Sequence, residues 1–381
     1  MACRYFGECG GCQFGEDYNL DLKVEAYRKI LPNIAFSVFA SPLQNFRARC
    51  EIGVFHQDGQ IHFVMRGKKS QKNKNSFVFI EQCLILKEPL QELLEVLKAK
   101  LNAASIQLTH KLFSLEILSS IGQQGAFEAL LTLIYHKPLE AQWEEEAKLL
   151  QENLTKTLGF EVKIIGRAKK TKIVLKEDFL IASLKIQDKT FFYRYDEGAF
   201  VQPNPLMNQK MIEWVLEALP KSHKDLLEMY CGCGNFTIPL AAKFNQVLAT
   251  EISKTSLKAL QFALKANKVS NITTIRLSGE ECQEALERVR EFYRLRNIDL
   301  DSFDFECVLI DPPRAGLGQK IAKFLQRFPK IVYISCNPLS LSEDLKILLQ
   351  THQPQKLAFF DQFPYTSHLE CGIILSSNNL L

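Results

Sequence analysis

The sequence predicts an α/β protein: a parallel sheet with crossover helices in the C-terminal half, preceded by an α+β region. Three observations predict it. From Asp225 onward, short apolar runs of strand length alternate with helical segments. Several of those runs stop on glycine, proline or an acid: Tyr230 enters Cys231-Gly232-Cys233-Gly234, Thr250 meets Glu251, Ile310 meets Asp311-Pro-Pro-Arg314, and Ser335 meets Cys336-Asn337-Pro338. In open α/β sheets the ends of such strands are where ligands and chemistry sit. Before residue 200 the strands and helices follow no such alternation, and the loops between them are cationic.

The 381 residues are enough for two domains with separate cores. We place the boundary at the proline-marked stretch Phe200-Val-Gln202-Pro-Asn204-Pro, giving residues 1–200 and 201–381. No apolar run approaches a membrane span and no signal-peptide core is present, so a cytoplasmic protein without membrane partners is expected. A net charge of +4 is too weak to argue for nucleic acid by itself. Eleven cysteines, an odd number, in a chain that reads as cytosolic favour metal binding and catalysis over disulfides.

At the N-terminus, Cys3-x5-Cys9-Gly-Gly-Cys12 places three thiols within ten residues, with glycines that let the backbone wrap a small object. Cys83 is the best fourth ligand of an iron–sulfur site, and zinc fits the same set. The alternative is a loosely ordered tail with chance cysteines. Arg47 to Phe55 and Ile61 to Met65 flank Gln57-Asp58-Gly59 as a hairpin. Arg66, Lys68, Lys69, Lys72 and Lys74 follow without an acid up to residue 80, and this basic loop could reach phosphates. Leu90, Leu93, Leu94, Leu97 and Leu101 keep helical spacing, as a core stripe does. Strands at Leu112–Leu118 and Ala126–Tyr135, a helix at Leu139–Leu154 and strands at Val162–Ile165 and Lys172–Leu175 come next. Gly166 to Lys172 forms a second basic turn. This half reads as a binding domain.

In the second half, helices are expected over Leu206–Leu219, Thr255–Lys265 and Glu280 to about Leu295. Gly232-x-Gly234 after a strand and before a helix lets the backbone approach a ligand closely. The third glycine of the dinucleotide fingerprint is missing, which argues against NAD. Glu251 at the next strand tip suits two ribose hydroxyls. Together they suggest a class I (Rossmann-like) fold binding S-adenosyl-L-methionine. Cys231 and Cys233 are read as small loop residues.

The apolar run Ile331 to Ser335 delivers Cys336 to a strand end, where Asn337-Pro338 forbids continuation. Ser340 and Glu343 suggest a capped helix start beyond it, and a helix N-terminus favours a thiolate. Asp311-Pro-Pro-Arg314 offers a rigid polar clamp, and Glu370 stands just before an apolar strand. This set suits methylation at C5 of a pyrimidine. A thiolate adding at C6 makes C5 nucleophilic, and a base must later remove the C5 proton. The target base must leave its stack to be reached.

Residues 45 to the end resemble the bacterial tRNA (uracil-5-)-methyltransferases, within the wider RNA uracil-5-methyltransferase family. The resemblance rests on Ile165-Gly-Arg-Ala-Lys-Lys-Thr-Lys-Ile173, Phe200-Val-Gln-Pro-Asn204, Leu227-Glu-Met-Tyr-Cys-Gly-Cys-Gly-Asn-Phe236, Val247-Leu-Ala-Thr-Glu-Ile252, Ile310-Asp-Pro-Pro-Arg-Ala-Gly316, Tyr333-Ile-Ser-Cys-Asn-Pro338, and Phe360-Asp-Gln-Phe-Pro-Tyr365 followed by Glu370-Cys-Gly372. It implies a class I methyltransferase domain behind an RNA-binding domain. It also implies Gln202, Tyr230, Asn235, Glu251 and Asp311 as S-adenosyl-L-methionine contacts, Cys336 as nucleophile and Glu370 as proton acceptor. The implied substrate is the T-loop uridine of tRNA, and the similar arm of tmRNA, bound by a monomer. The cysteine motif departs from that pattern and is similar to the [4Fe–4S] motif of the 23S rRNA uracil-5-methyltransferases, which keeps rRNA as an alternative substrate. Other readings are methylation of an exocyclic amine, which needs no cysteine nucleophile, and an RNA-folding chaperone on a methyltransferase fold.

Overall fold

A computed structural model of the chain describes residues 3–68 and 76–378. Lys69, Lys72 and Lys74 of the first basic loop lie outside the described residues.

An eight-stranded sheet carries the C-terminal half. Its strands run in the order Phe36–Phe39, His352–Phe360, Glu370–Ser377, Lys330–Ser335, Phe305–Ile310, Asp225–Met229, Val247–Thr250 and Ile272–Ile275. All neighbours are parallel except Glu370–Ser377, which runs against both of its partners. The central strands are mostly apolar on both sides because both faces are covered, with Asp225 and Glu228 as buried exceptions. Leu227, Val308 and Tyr333 point to one face, toward helices Gly318–Leu325 and Pro338–Leu348. Leu226, Leu309 and Ile334 point to the other, toward helices Pro205–Ala218 and Lys254–Ala266. The period-two alternation of a strand produces this split.

The N-terminal half is a seven-stranded sheet in the order Phe77–Phe79, Gln60–Arg66, Arg49–Gln57, Leu112–Ile121, Phe127–Tyr135, Glu161–Ala168 and Thr171–Val174. Helix Ala141–Leu158 makes the crossover between the one parallel pair, Phe127–Tyr135 and Glu161–Ala168. Helix Glu88–Ala103 buries the whole predicted leucine stripe in the same core.

Three features differ from the sequence expectations. The expected helix to Leu295 stops at Leu286. Arg288 adopts a left-handed φ of 58°, and the Val289 and Arg288 N–H groups turn back to the carbonyls of Glu284 and Ala285. This is a Schellman-type stop made without glycine, so it left no compositional mark. A hairpin of Phe179–Ile186 and Lys189–Asp196 was not anticipated. Its Leu180 packs with Leu118, Leu130 and Ile165 of the first sheet, and its Ile186 and Tyr193 pack into the second core. It is the wedge between the two halves. Finally, helix Leu20–Arg28 and strand Phe36–Phe39 belong to the C-terminal sheet, although they precede the N-terminal one.

Gly372, in the reversed strand, faces Trp214 so closely that a Cβ would lie 2.6 Å from the ring. Trp214 in turn sits edge-on to Phe360 with centroids 5.9 Å apart. Gly372→Ala is expected to cost about 1–3 kcal/mol of stability by overpacking. A lowered thermal unfolding midpoint in calorimetry checks this, and an unchanged midpoint contradicts it.

Candidate active site

The carboxyl ends of Asp225–Met229, Val247–Thr250, Phe305–Ile310 and Lys330–Ser335 lie along one edge of the sheet, and the residues singled out from the sequence leave from that edge. The first strand delivers Tyr230 at φ 63°, then Gly232 at φ 54° and Gly234 at φ 92°. A left-handed tyrosine beside a ligand loop is backbone strain of the kind held at functional sites. Gly234 is required twice over, since a Cβ there would also meet Leu260 Cδ1 at 2.4 Å. Glu251 ties the loop to the next strand. Its Oε2 accepts the Gly232 N–H at 3.0 Å and its Oε1 the Ser253 N–H at 2.7 Å. Asn235 exchanges two amide hydrogen bonds of 2.8 Å with Asn208, and Gln202 Oε1 accepts from Gln362 Nε2 at 2.6 Å.

Two residues here escaped the sequence reading. Gly279 lets the Tyr230 hydroxyl lie where a Cβ would be, only 2.0 Å from it. Glu228 is buried, with its carboxyl pushed up to about 8 by burial and with Oε2 lacking a partner. A charged residue between the buried apolar Leu227 and Met229 was the available signal for Glu228. The open glycine backbone and the acid at the neighbouring strand tip fit an adenosyl cofactor carrying a ribose.

The reactive set forms at the next strand ends. Ser335 pairs with Cys371 and Phe360 with Glu370, so Cys336 and Glu370 leave adjacent antiparallel strands opposite one another. Directly opposed residues on such strands have Cα atoms roughly 4.5–5.5 Å apart. Burial pushes the half-buried Cys336 thiol up to about 11, and the charges of Glu370 and Asp311 add to this while Arg314 opposes it. Burial raises Glu370 to about 8, with Asp311 adding to the shift. Burial alone raises Asp311 to about 7. A thiol thus stands with two carboxyls that titrate near neutral pH, as groups poised for proton transfer do.

The two loops are stitched together. The Arg314 carbonyl accepts from Asn337 Nδ2 at 3.1 Å and Ser340 Oγ at 3.2 Å. The Arg314 guanidinium donates to His368 Nδ1 at 3.1 Å. Burial lowers the His368 pKa, and Arg314 and Lys23 lower it further. The helix after Cys336 begins one turn earlier than the expected Ser340 cap. Asn337 caps it by accepting the Leu339 N–H at 3.2 Å, and Pro338 takes the first helical position, where no N–H is needed.

Cys3, Cys9, Cys12 and Cys83 gather beside the first hairpin. Gly10 N–H donates to the Arg66 carbonyl at 2.8 Å, and Glu81 N–H donates to the Tyr5 hydroxyl at 2.8 Å. Burial pushes Cys12 up to about 12, and the nearby Cys83, Cys9 and Cys3 thiols add to it. Among the described residues, however, no group of three or more such side chains is arranged to hold a metal ion. The second basic turn is partly neutralised from within. Arg167 pairs with Glu197 at 2.6 Å, and Lys172 pairs with Asp178 at 2.7 Å and Glu197 at 3.3 Å. Lys169 and Lys170 stay exposed at its tip. No helix among the described residues is long and apolar enough to cross a membrane.

The sequence pattern of the family described as tRNA (Uracil-5-)-methyltransferase matches residues 17–378. A tRNA/tmRNA (uracil-C(5))-methyltransferase of Wolinella succinogenes is 44% identical over 381 residues, covering 98% of this chain and 99% of its own. One of Pasteurella multocida is 41% identical over 341 residues, covering 90% and 91%. The crystal structure of Pyrococcus abyssi tRNA (uracil-54, C5)-methyltransferase with S-adenosyl-L-homocysteine aligns with a TM-score of 0.67 over 93% of this chain and 82% of that one. Its identity is 21%, so the likeness is one of fold.

The raised carboxyl of Glu370 has a consequence for stability. Its folded pKa, about 8, lies above the ordinary 4.5, so the folded state binds more protons and loses stability as pH rises from about 4.5 to 8. Glu370→Gln should therefore unfold at higher denaturant than the parent at pH 8, with the difference vanishing near pH 4.5. A constant difference across that range in urea titrations contradicts this origin.

Proposed function

The chain belongs to the tRNA (uracil-5-)-methyltransferase family, and we infer that it methylates C5 of the T-loop uridine of tRNA, and of the similar arm of tmRNA. The observation that carries the chemistry is Cys336 set opposite Glu370 beside a cofactor loop. S-adenosyl-L-methionine supplies an electrophilic methyl group when bound. Gln202, Tyr230, Asn235, Glu251 and Asp311 would hold it, with the Glu251 carboxylate toward the ribose hydroxyls.

C5 of uracil is too weak a nucleophile to take a methyl group directly. The Cys336 thiol gives up its proton to a neighbouring base, its sulfur adds to C6, and the electron pair moves to C5 as an enolate carbon that attacks the sulfonium methyl, whose bonding pair leaves with the cofactor sulfur. Glu370 then takes the C5 proton, the C5–C6 double bond reforms, and the C6–S pair returns to Cys336. Choosing tRNA over ribosomal RNA follows relatives that align along nearly the whole chain and carry tRNA/tmRNA names.

The reading is tested by methylating unmodified tRNA and 23S rRNA fragments and identifying the nucleoside by mass spectrometry. The expected product is 5-methyluridine in the T-loop, and product in rRNA alone contradicts the substrate. Cys336→Ala should lose about a thousandfold or more in rate. Glu370→Gln should accumulate a protein–RNA adduct stable to denaturing electrophoresis, and absence of adduct with tRNA contradicts the pathway. For the four N-terminal cysteines we propose a [4Fe–4S] cluster. The support is the soft-thiol chemistry of the motif and the electrostatic coupling of Cys12 and Cys83 to the Cys3 and Cys9 thiols, although the four side chains as placed do not form a ready metal group. Anaerobically purified protein is expected to contain iron and acid-labile sulfide; zinc instead, or neither, overturns this.

A further inference from the structure

We propose that the N-terminal segment from Gln13 to Tyr27 is a positioning element for Glu370, with the buried Lys23–Asp361 ion pair as its fixed point. The proposal rests on the reading of Glu370 as the proton acceptor.

The loop from Asp361 to Leu369 joins two strands of the catalytic sheet and ends on Glu370. Much of its anchoring comes from the far end of the chain. Asp361 N–H donates to the Phe39 carbonyl at 2.9 Å. The Asp361 carboxylate accepts from Lys23 Nζ and from the Tyr18 hydroxyl, both at 2.7 Å. Lys23 Nζ also donates to the Phe363 carbonyl at 3.0 Å. The Tyr365 carbonyl accepts the N–H groups of Gln13 and Phe14 at 2.8 and 3.0 Å. Ser367 N–H donates to Gln13 Oε1 at 2.6 Å, and the Ser367 carbonyl accepts from the Tyr27 hydroxyl at 2.8 Å. Tyr365 itself is held at φ 63°, a conformation that contacts must maintain.

The other side of the same loop meets the site. Gln362 donates to Gln202, and His368 accepts from Arg314. The loop is thus fixed from the N-terminal segment and touches the cofactor and arginine loops. The ion pair makes the fixing rigid. Its side chains are 3% and 1% exposed, so separating them leaves a buried charge uncompensated.

Glu370 acts only when the C5 proton is removed and the C6–S bond breaks. A displacement of about 1 Å at a reacting group can cost on the order of a hundredfold in rate. Loosening the loop should therefore slow release of the Cys336 adduct while leaving its formation intact.

The test is single-turnover methylation of a tRNA transcript with saturating S-adenosyl-L-methionine, following adduct formation and adduct release separately on denaturing gels. Lys23→Met should slow release about tenfold with formation rate and KM little changed. Lys23→Arg, which keeps the charge, should restore most of the release rate. If Lys23→Met does not fold, Tyr27→Phe removes one hydroxyl and should slow the same step by a smaller factor. Formation and release falling together in proportion to folded protein, or release at the parent rate in both variants, overturns the proposal. Glu370→Gln separates the two levels. If it traps the adduct while Lys23→Met and Tyr27→Phe release normally, only the positioning role fails. If it releases normally, the proton-acceptor reading fails and the proposal with it.

Discussion

The site depends on one antiparallel pairing. In an otherwise parallel sheet, Glu370–Ser377 runs backwards between its two neighbours, with Ser335 opposite Cys371. A parallel neighbour would present its own carboxyl end and the residues that follow it. The reversed strand instead presents its amino end, so Glu370 enters the sheet where Cys336 leaves it. A shift of one residue in that register would turn Glu370 to the other face. Gly372 against Trp214 and the apolar residues Ile373 and Leu375 hold the register.

Around this pairing the protein concentrates acid in a dry place. Glu228, Asp311 and Glu370 are all pushed up by burial, and the charge of Asp311 acts on both of the others. Burying carboxyls side by side costs stability. The cost is offset by the large apolar cores that cover both faces of the sheet. The same arrangement sets carboxyls of raised pKa close to a thiol.

Much of this was legible in the sequence because strand ends carry punctuation. Gly232, Glu251, Asp311-Pro-Pro and Cys336-Asn337-Pro338 each interrupt an apolar run, and the structure places all of them at one sheet edge. The parts that escaped have no local signal. Asp361 looks like any acid in a loop, and its partner Lys23 lies in a short helix with no strong pattern. In the hairpin Phe179–Asp196 the first strand alternates regularly, with Leu180, Ala182, Leu184 and Ile186 buried, but the second mixes polar and aromatic residues on both faces, because the hairpin packs between two domains rather than on one core. Ser340 looked like a helix cap, but Asn337 and Pro338 reached that role first in the chain.

Strand Phe36–Phe39 closes the outer edge of the catalytic sheet by pairing with Leu357–Phe360. During synthesis, Phe36 emerges long before Leu357 exists, and an entire sheet-and-helix domain is made in between. Contacts of such sequence separation form late and slowly. The nascent chain must therefore carry an unpaired aromatic strand through most of its translation. The edge it finally covers stays open to strand pairing with other chains until the two ends meet.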